Sequence, residues 1–342
     1  MTDGDDGGRA AAEVVCVGET MALLTPVDAR PLLERPRLEM ALGGAESNVA
    51  CGLAGLGHRA AWLSRVGDDP FGALVRAEVA ARGVDTAHVE VDPDRPTGVY
   101  FKDPRPGGTR VHYYRRGSAA AAMDAGLAAR PGTGAVLRGA RIVHLSGITP
   151  VLSESCAELT DELLVRRAVP GPLLSFDVNH RPALWSAQQA AEPLLRLARA
   201  ADLVFVGRDE AQTLWGTGDP AAIRRLLGSV PAVVVKDAGE GATLFAADGP
   251  ATFVPALRVP VVEPVGAGDA FAAGYLSGLL DGRDPVRRLR LGHLLAAMTL
   301  RQVGDLAEPP PAGSRERLIG LSEHEWAGAR LPGPEPAAAD LP

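Results

Sequence analysis

The sequence predicts an α/β fold: a doubly wound, mostly parallel sheet flanked by helices, with a small β-sheet lid. Three observations point to it. Short β-branched runs alternate with helical stretches along most of the 342 residues, the pattern of a parallel sheet covered on both faces. Between residues 87 and 116 the alternation gives way to three strand-like pieces with no helix between them. Hydrophobic residues make up 46% of the chain and charged residues 23%, so a sizeable core can be buried and wholesale disorder is excluded.

Residues 1–12 are rich in Gly, Asp and Ala and are expected to form a disordered tail. Residues 13–325 are expected to form one domain, with the lid drawn from about 20–42 and 87–116. A second disordered tail is expected over 326–342, ending PGPEPAAADLP. Within the domain, 13–18 (EVVCVG) reads as a buried strand ending at Gly18. Residues 45–57 read as a helix closed by Gly57, 60–66 as a strand, and 71–82 as a helix ending at Gly83. In the lid, 88–91, 98–102 and 110–115 are separated by DPDRPT and DPRPGG and predict an antiparallel meander. Strands at 141–145, 173–178, 202–206 and 232–236 then alternate with helices at 154–168, 188–200, 209–215 and 221–227. Two more strand-like pieces follow, then two longer helices from about Ala270 and Pro285.

Charge and composition exclude several function classes. The net charge of −7 argues against nonspecific nucleic-acid binding and against a polybasic membrane anchor. No run approaches the ~18 apolar residues of a membrane-spanning helix. The N-terminus is acidic and lacks the apolar segment of a signal peptide. Cys16, Cys51 and Cys156 fit no metal or redox spacing, which points to reduced thiols and a cytoplasmic protein. The histidines show no H-x-x-x-H spacing. Arg greatly outnumbers Lys, with Lys102 and Lys236 the two lysines, and a GC-rich coding bias accounts for that.

Residues 265–276 (VGAGDAFAAGYL) run from a Gly-rich turn directly into an apolar helix. Successive free N–H groups and the positive end of the helix dipole make such a turn an anion site. A dinucleotide fingerprint fails because Phe271 stands at its third Gly, and no Walker A string exists in the chain. There remain an ordinary N-cap and a phosphoryl-transfer site. In the latter, Gly266, Ala267 and Gly268 supply the anion hole and Asp269 accepts the proton of a substrate hydroxyl.

The strings at 263–276 (EPVGAGDAFAAGYL) and 43–50 (GGAESNVA) resemble the C-terminal and N-terminal signatures of the ribokinase-like (PfkB) carbohydrate kinases. They lie in the expected order, and the resemblance covers roughly residues 13–320. It implies the fold above, ATP as co-substrate with Mg²⁺, and sugar binding by Gly43, Gly44 and Asn48. Within the family, HYYRRGSA (112–119), HLSGITP (144–150) and DVNHR (177–181) resemble the 2-keto-3-deoxygluconate kinases. There the matching Tyr and Arg residues surround an acidic sugar, which implies that role for Tyr100, Tyr113, Arg115 and Arg181. The chemistry agrees, because Arg grips a carboxylate with paired charge-assisted hydrogen bonds.

The resemblance also assigns the nucleotide to Lys236 and Gly241, in KDAGEG, where Ala238 departs from the usual first Gly. It assigns water-mediated Mg²⁺ to Glu210, although Gly207 replaces the Asn of the family's N-x-x-E element. Glu263 stands where the family commonly has an Asp that helps bind a monovalent cation, and the longer side chain speaks against potassium activation. The expected reaction is phosphorylation of a primary hydroxyl on a keto-deoxy sugar acid by a homo-oligomeric enzyme. Fructokinase or ribokinase activity on a neutral sugar is the first alternative. A catalytically silent sugar sensor is the second.

Overall fold

A computed structural model describes residues 11–331, apart from 29, 106 and 107. The expected tail at 1–12 therefore falls almost wholly outside the described residues, as does 332–342 of the second one. The start of that second tail needs correction. A helix at Glu323–Gly328 buries Trp326, whose indole N–H donates to Pro255 O at 2.9 Å, and Arg330 bridges to Arg258. The indole supplies enough apolar area to hold that segment against the core.

Fourteen strands are described: β1 (Val14–Val17), β2 (Met21–Pro26), β3 (Leu38–Gly43), β4 (Ala60–Leu63), β5 (Arg65–Gly67), β6 (Glu90–Asp92), β7 (Val99–Arg105), β8 (Gly108–Tyr114), β9 (Ile142–Ser146), β10 (Leu173–Asp177), β11 (Leu203–Gly207), β12 (Ala232–Asp237), β13 (Gly241–Ala246) and β14 (Thr252–Pro255). Eight of them form one sheet in the order β14-β13-β12-β11-β10-β9-β1-β4. Pairing is parallel from β4 through β12, and β13 and β14 close the edge as antiparallel strands. Successive side chains point to opposite faces, so each strand feeds two cores. Leu203 and Phe205 join Trp62, Phe271 and Leu294 on one face; Val204 and Val206 join Leu145, Phe176 and Leu194 on the other. This is the doubly wound α/β arrangement the sequence predicts.

The apolar run at 60–66 is two strands. It breaks at Ser64 because β5 leaves the main sheet to pair in parallel with β6, where Arg65 bridges Glu90 and Asp92 at 3.1 and 3.3 Å. That pairing also removes the first expected lid strand. The lid is a separate four-stranded sheet, β3-β2-β7-β8, and β2 pairs with β7 in parallel. Only the β7–β8 hairpin keeps the expected meander form. Helices at Pro131–Gly139 and Ala312–Ile319 escape the sequence reading.

The carboxyl ends of β1, β9, β10 and β11 point toward the lid. Helices Ala45–Gly55 and Ala267–Leu280 start at the same end of the sheet and pack against each other, with Ala273 under Gly52. In an open α/β sheet, ligands bind at that end of the strands.

Candidate active site

A cavity of about 1040 Å³ lies between the sheet and the lid. Every residue assigned in the sequence to the base, the anion hole, the sugar, the nucleotide or Mg²⁺ lines it, from Gly43, Gly44 and Tyr113 to Lys236 and Gly241. Glu263 sits just outside.

The turn before helix Ala267–Leu280 forms the floor. Gly266 has φ of +81°, and a Cβ there would stand 2.3 Å from Asp305 O, so only glycine fits. Ala270 N–H closes the first helical bond onto Gly266 O at 2.9 Å. Among the described residues the amides of Gly268 and Asp269 have no partner, and they point out of the helix N-terminus.

Asp269 is buried in the first turn, and its Oδ2 accepts from Asn48 Nδ2 at 2.9 Å. Burial raises its carboxyl from the ordinary 3.8 to about 7, against the opposing pull of the Asn48 hydrogen bond and the nearby Arg181 charge. Asn48 belongs to the opposite helix, two hundred residues away in sequence. Its Oδ1 is buried and unpartnered among the described residues, which leaves an acceptor for a ligand hydroxyl.

Gly43 and Gly44 let the chain pass directly beneath the lid. A Cβ on Gly43 would collide with Tyr100 Oη at 1.8 Å, and one on Gly44 would meet Glu19 O at 2.6 Å. Tyr100 and Tyr113 pair across β7 and β8 with ring centroids 5.5 Å apart. Burial and the neighbouring Asp305 hold the Tyr100 hydroxyl protonated far above its ordinary range.

The two arginines differ. Arg115 is held by Glu19, with Nε 2.6 Å from Oε2 and a terminal nitrogen on the same oxygen; Ser118 Oγ donates to Glu19 Oε1 at 2.5 Å. Glu19 is a positioning group that sequence reading missed, because a lone acid after β1 carries no pattern. Arg181 is exposed to the cavity, and its guanidinium makes no ion pair among the described residues.

At the other end, Lys236 Nζ lies 2.8 Å from Asp177 Oδ2. Burial works against the Lys236 charge, but Asp177, Glu210 and Asp269 outweigh it and raise its pKa. Asp177 Oδ1 is buried without a partner among the described residues. Glu210 accepts the main-chain N–H of His180 at 2.9 Å and of Gly207 at 2.7 Å, one on each oxygen, and burial raises its pKa. Gly207, in place of the family's Asn, keeps that close approach open. Ala238 adopts φ of +40°, so the alanine takes the left-handed turn that a glycine would take there. Gly241 has φ of +151° and faces Val254 O across β14. Asp177 and Glu210 together offer the few carboxylate oxygens that a largely hydrated Mg²⁺ needs, and the orphaned Asp177 oxygen fits that use.

Residues 11–312 match the pfkB family carbohydrate kinase profile. A 2-dehydro-3-deoxygluconokinase of Bacillus subtilis is 35% identical over 90% of this chain and 94% of its own. A 2-dehydro-3-deoxygalactonokinase of Haloferax volcanii is 36% identical over 88% of this chain and 94% of its own. The crystal structure of a PfkB protein from Polaromonas sp. JS666 superposes with a TM-score of 0.75 at 33% identity, covering 87% of this chain and 98% of that one. With both signatures folded onto one cavity and the profile matched along nearly the whole domain, the chain belongs to the pfkB family of carbohydrate kinases.

Proposed function

We propose that the protein transfers the γ-phosphoryl group of ATP to the primary hydroxyl of a keto-deoxy sugar acid, converting 2-keto-3-deoxygluconate to its 6-phosphate. The observation that carries the substrate class is Arg181, a guanidinium with no carboxylate partner, lining the same cavity as Asp269. A neutral sugar offers such a charge hydroxyl acceptors but no carboxylate to pair with it. The named relatives act on substrates of this class.

Asp269, as the carboxylate, takes the proton of the hydroxyl. The hydroxyl oxygen bonds to the γ-phosphorus while the bond from that phosphorus to the bridging oxygen breaks, and ADP leaves with the electron pair. The free amides of Gly266, Gly268 and Asp269 face the charge on the transferred group, while the Ala267 amide, engaged by Pro264 O at 3.4 Å, shapes the turn instead of joining the expected anion hole. Asn48 holds both the base and a sugar hydroxyl. Tyr100 and Tyr113 wall the sugar, and Arg115 and Arg181 read its carboxylate. Lys236 and Gly241 border the phosphates. When bound, Mg²⁺ neutralises phosphate charge, and Glu210 and Asp177 would hold it through water.

Glu19 supports a second reading. It already neutralises Arg115, leaving one free guanidinium for a sugar acid, and a neutral hexose remains the competing substrate. ADP release measured with ketodeoxygluconate, fructose and ribose separates the two. We expect the sugar acid to give the highest kcat/KM. Asp269→Asn, nearly isosteric, should lower kcat by about 10²- to 10⁴-fold with little change in ATP affinity. Faster turnover of fructose by the wild type sinks the sugar-acid reading, and near-wild-type turnover by the variant sinks the base.

A further inference from the structure

The chain's two lysines both lie in the cavity. Lys236 borders the phosphate end. Lys102 has no role in the transfer described above, yet it is only 3% exposed. It projects from lid strand β7, and its Nζ stands 2.7 Å from Glu263 Oε1 and 3.4 Å from Asp305 Oδ1. Tyr100, two residues earlier and on the same face of β7, donates to Asp305 Oδ2 at 3.4 Å.

These two carboxylates flank the anion-hole turn. Glu263 leads into it through Pro264 and Val265. Asp305 buttresses it, since its main chain sits where any side chain on residue 266 would have to go. One ammonium on the lid thus ties together the two core segments that shape Gly266–Gly268.

We propose that Lys102 is a positioning residue that couples lid closure to the shape of the Gly266–Gly268 anion hole by neutralising Glu263 and Asp305. Without the ammonium, the buried Asp305 and the half-buried Glu263 carboxylates face each other across a vacated slot, and like charges at that range repel. The turn then relaxes and its free amides move off the transferred group. A shift of about 1 Å in such a site costs on the order of 10²-fold in rate. The slot left by truncation fits a small monocation, which would restore the charge balance without restoring the tie to the lid strand.

The proposal rests on the phosphotransfer reading, so its test includes a measurement that needs no turnover. Lys102→Ala should lower kcat by roughly 10²-fold while KM for sugar changes little. Ammonium or potassium chloride should restore Lys102→Ala saturably, choline chloride at equal ionic strength should not, and the wild type should respond to none of them. Lys102→Met fills the slot with an apolar chain and should be slow and unrescued. In both variants, amide hydrogen exchange over 99–105 and 263–269 should quicken, and ammonium should slow it over 263–269 in the alanine variant alone. A wild-type kcat in Lys102→Ala overturns the proposal, as does a loss confined to sugar KM or a loss that no small cation restores. If the alanine variant does not fold, unchanged exchange at 263–269 in Lys102→Met overturns it. A wild type inactive on every sugar would instead defeat the substrate reading and leave exchange to decide this one.

Discussion

Arg181 and Arg115 line the same cavity and should respond to truncation in different ways. Arg181 makes no ion pair among the described residues, and its charge acts on Asp269 and Glu210 only from a distance. Arg181→Ala should therefore change folding stability by no more than about 0.5 kcal/mol. With a sugar acid bound, losing one partner of a desolvated charge pair costs roughly 2–5 kcal/mol. The exposure of Arg181 places it at the low end, and about 2 kcal/mol is roughly a 30-fold fall in kcat/KM at ~1.4 kcal/mol per decade. Arg115→Ala is another matter. It strands the Glu19 carboxylate, whose side chain is 1% exposed, with Ser118 as its remaining partner. Breaking such a buried pair costs roughly 3–5 kcal/mol of stability. The double variant Arg115→Ala with Glu19→Gln should recover much of that stability and none of the sugar-acid activity. The assay is kcat/KM for ketodeoxygluconate and for fructose, with Tm, in the wild type and these variants. Equal falls on both sugars in Arg181→Ala would refute the claim that this guanidinium reads a carboxylate. An undiminished Tm in Arg115→Ala would refute the buried pair.

Three further outcomes follow from the floor of the site. Asp269 must be ionised to accept a proton, and burial holds its pKa near 7, so kcat/KM should fall as pH drops below about 7; removing the Asn48 donor in Asn48→Ala should move that limb to higher pH. The same raised pKa means the ligand-free fold holds an extra proton relative to the unfolded chain between about 4 and 7, so Asp269 makes stability decline as pH rises through that window, and Asp269→Asn should remove this component from a pH series of Tm. Gly266→Ala forces a Cβ to 2.3 Å from Asp305 O at φ of +81° and should cut kcat by about 10²- to 10³-fold, the scale of a lost oxyanion donor; a kcat near wild type would show the turn has other ways to form.

Local chemistry made much of this legible in the sequence. The turn, the base and the helix they begin share one short string, and residues 43–50 do the same for Gly43, Gly44 and Asn48. What escaped was decided by pairing across long separations. Nothing in the apolar run at 60–66 marks Ser64 as a break; the break exists because Arg65 finds Glu90 and Asp92 on a distant segment. The parallel β2–β7 pair joins chain some eighty residues apart, so adjacent strand-like pieces wrongly suggested a simple meander. Glu19, Asp177 and Asp305 are single acids whose partners, Arg115, Lys236 and Lys102, lie 96, 59 and 203 residues away, and no motif links them.

The placement of the two lysines carries a signal of its own. A coding bias toward Arg explains why lysine is rare, but not why the two lysines fall where they do. Both sit against carboxylates, Lys236 on the buried Asp177 and Lys102 between the half-buried Glu263 and the buried Asp305. A guanidinium is a broad planar fork whose strength lies in bidentate contact with one carboxylate, as Arg115 shows on Glu19. An ammonium is a compact point charge that can stand between two groups on different segments and turn its three donors to each. Lys236 also lies close to the anion-hole turn, since a Cβ on Gly268 would touch its Nζ at 3.6 Å. A wider head there would press on the very turn whose amides must stay free. In a chain that uses arginine for nearly every other positive charge, lysine stands where a narrow cation must sit beside the anion hole without filling it.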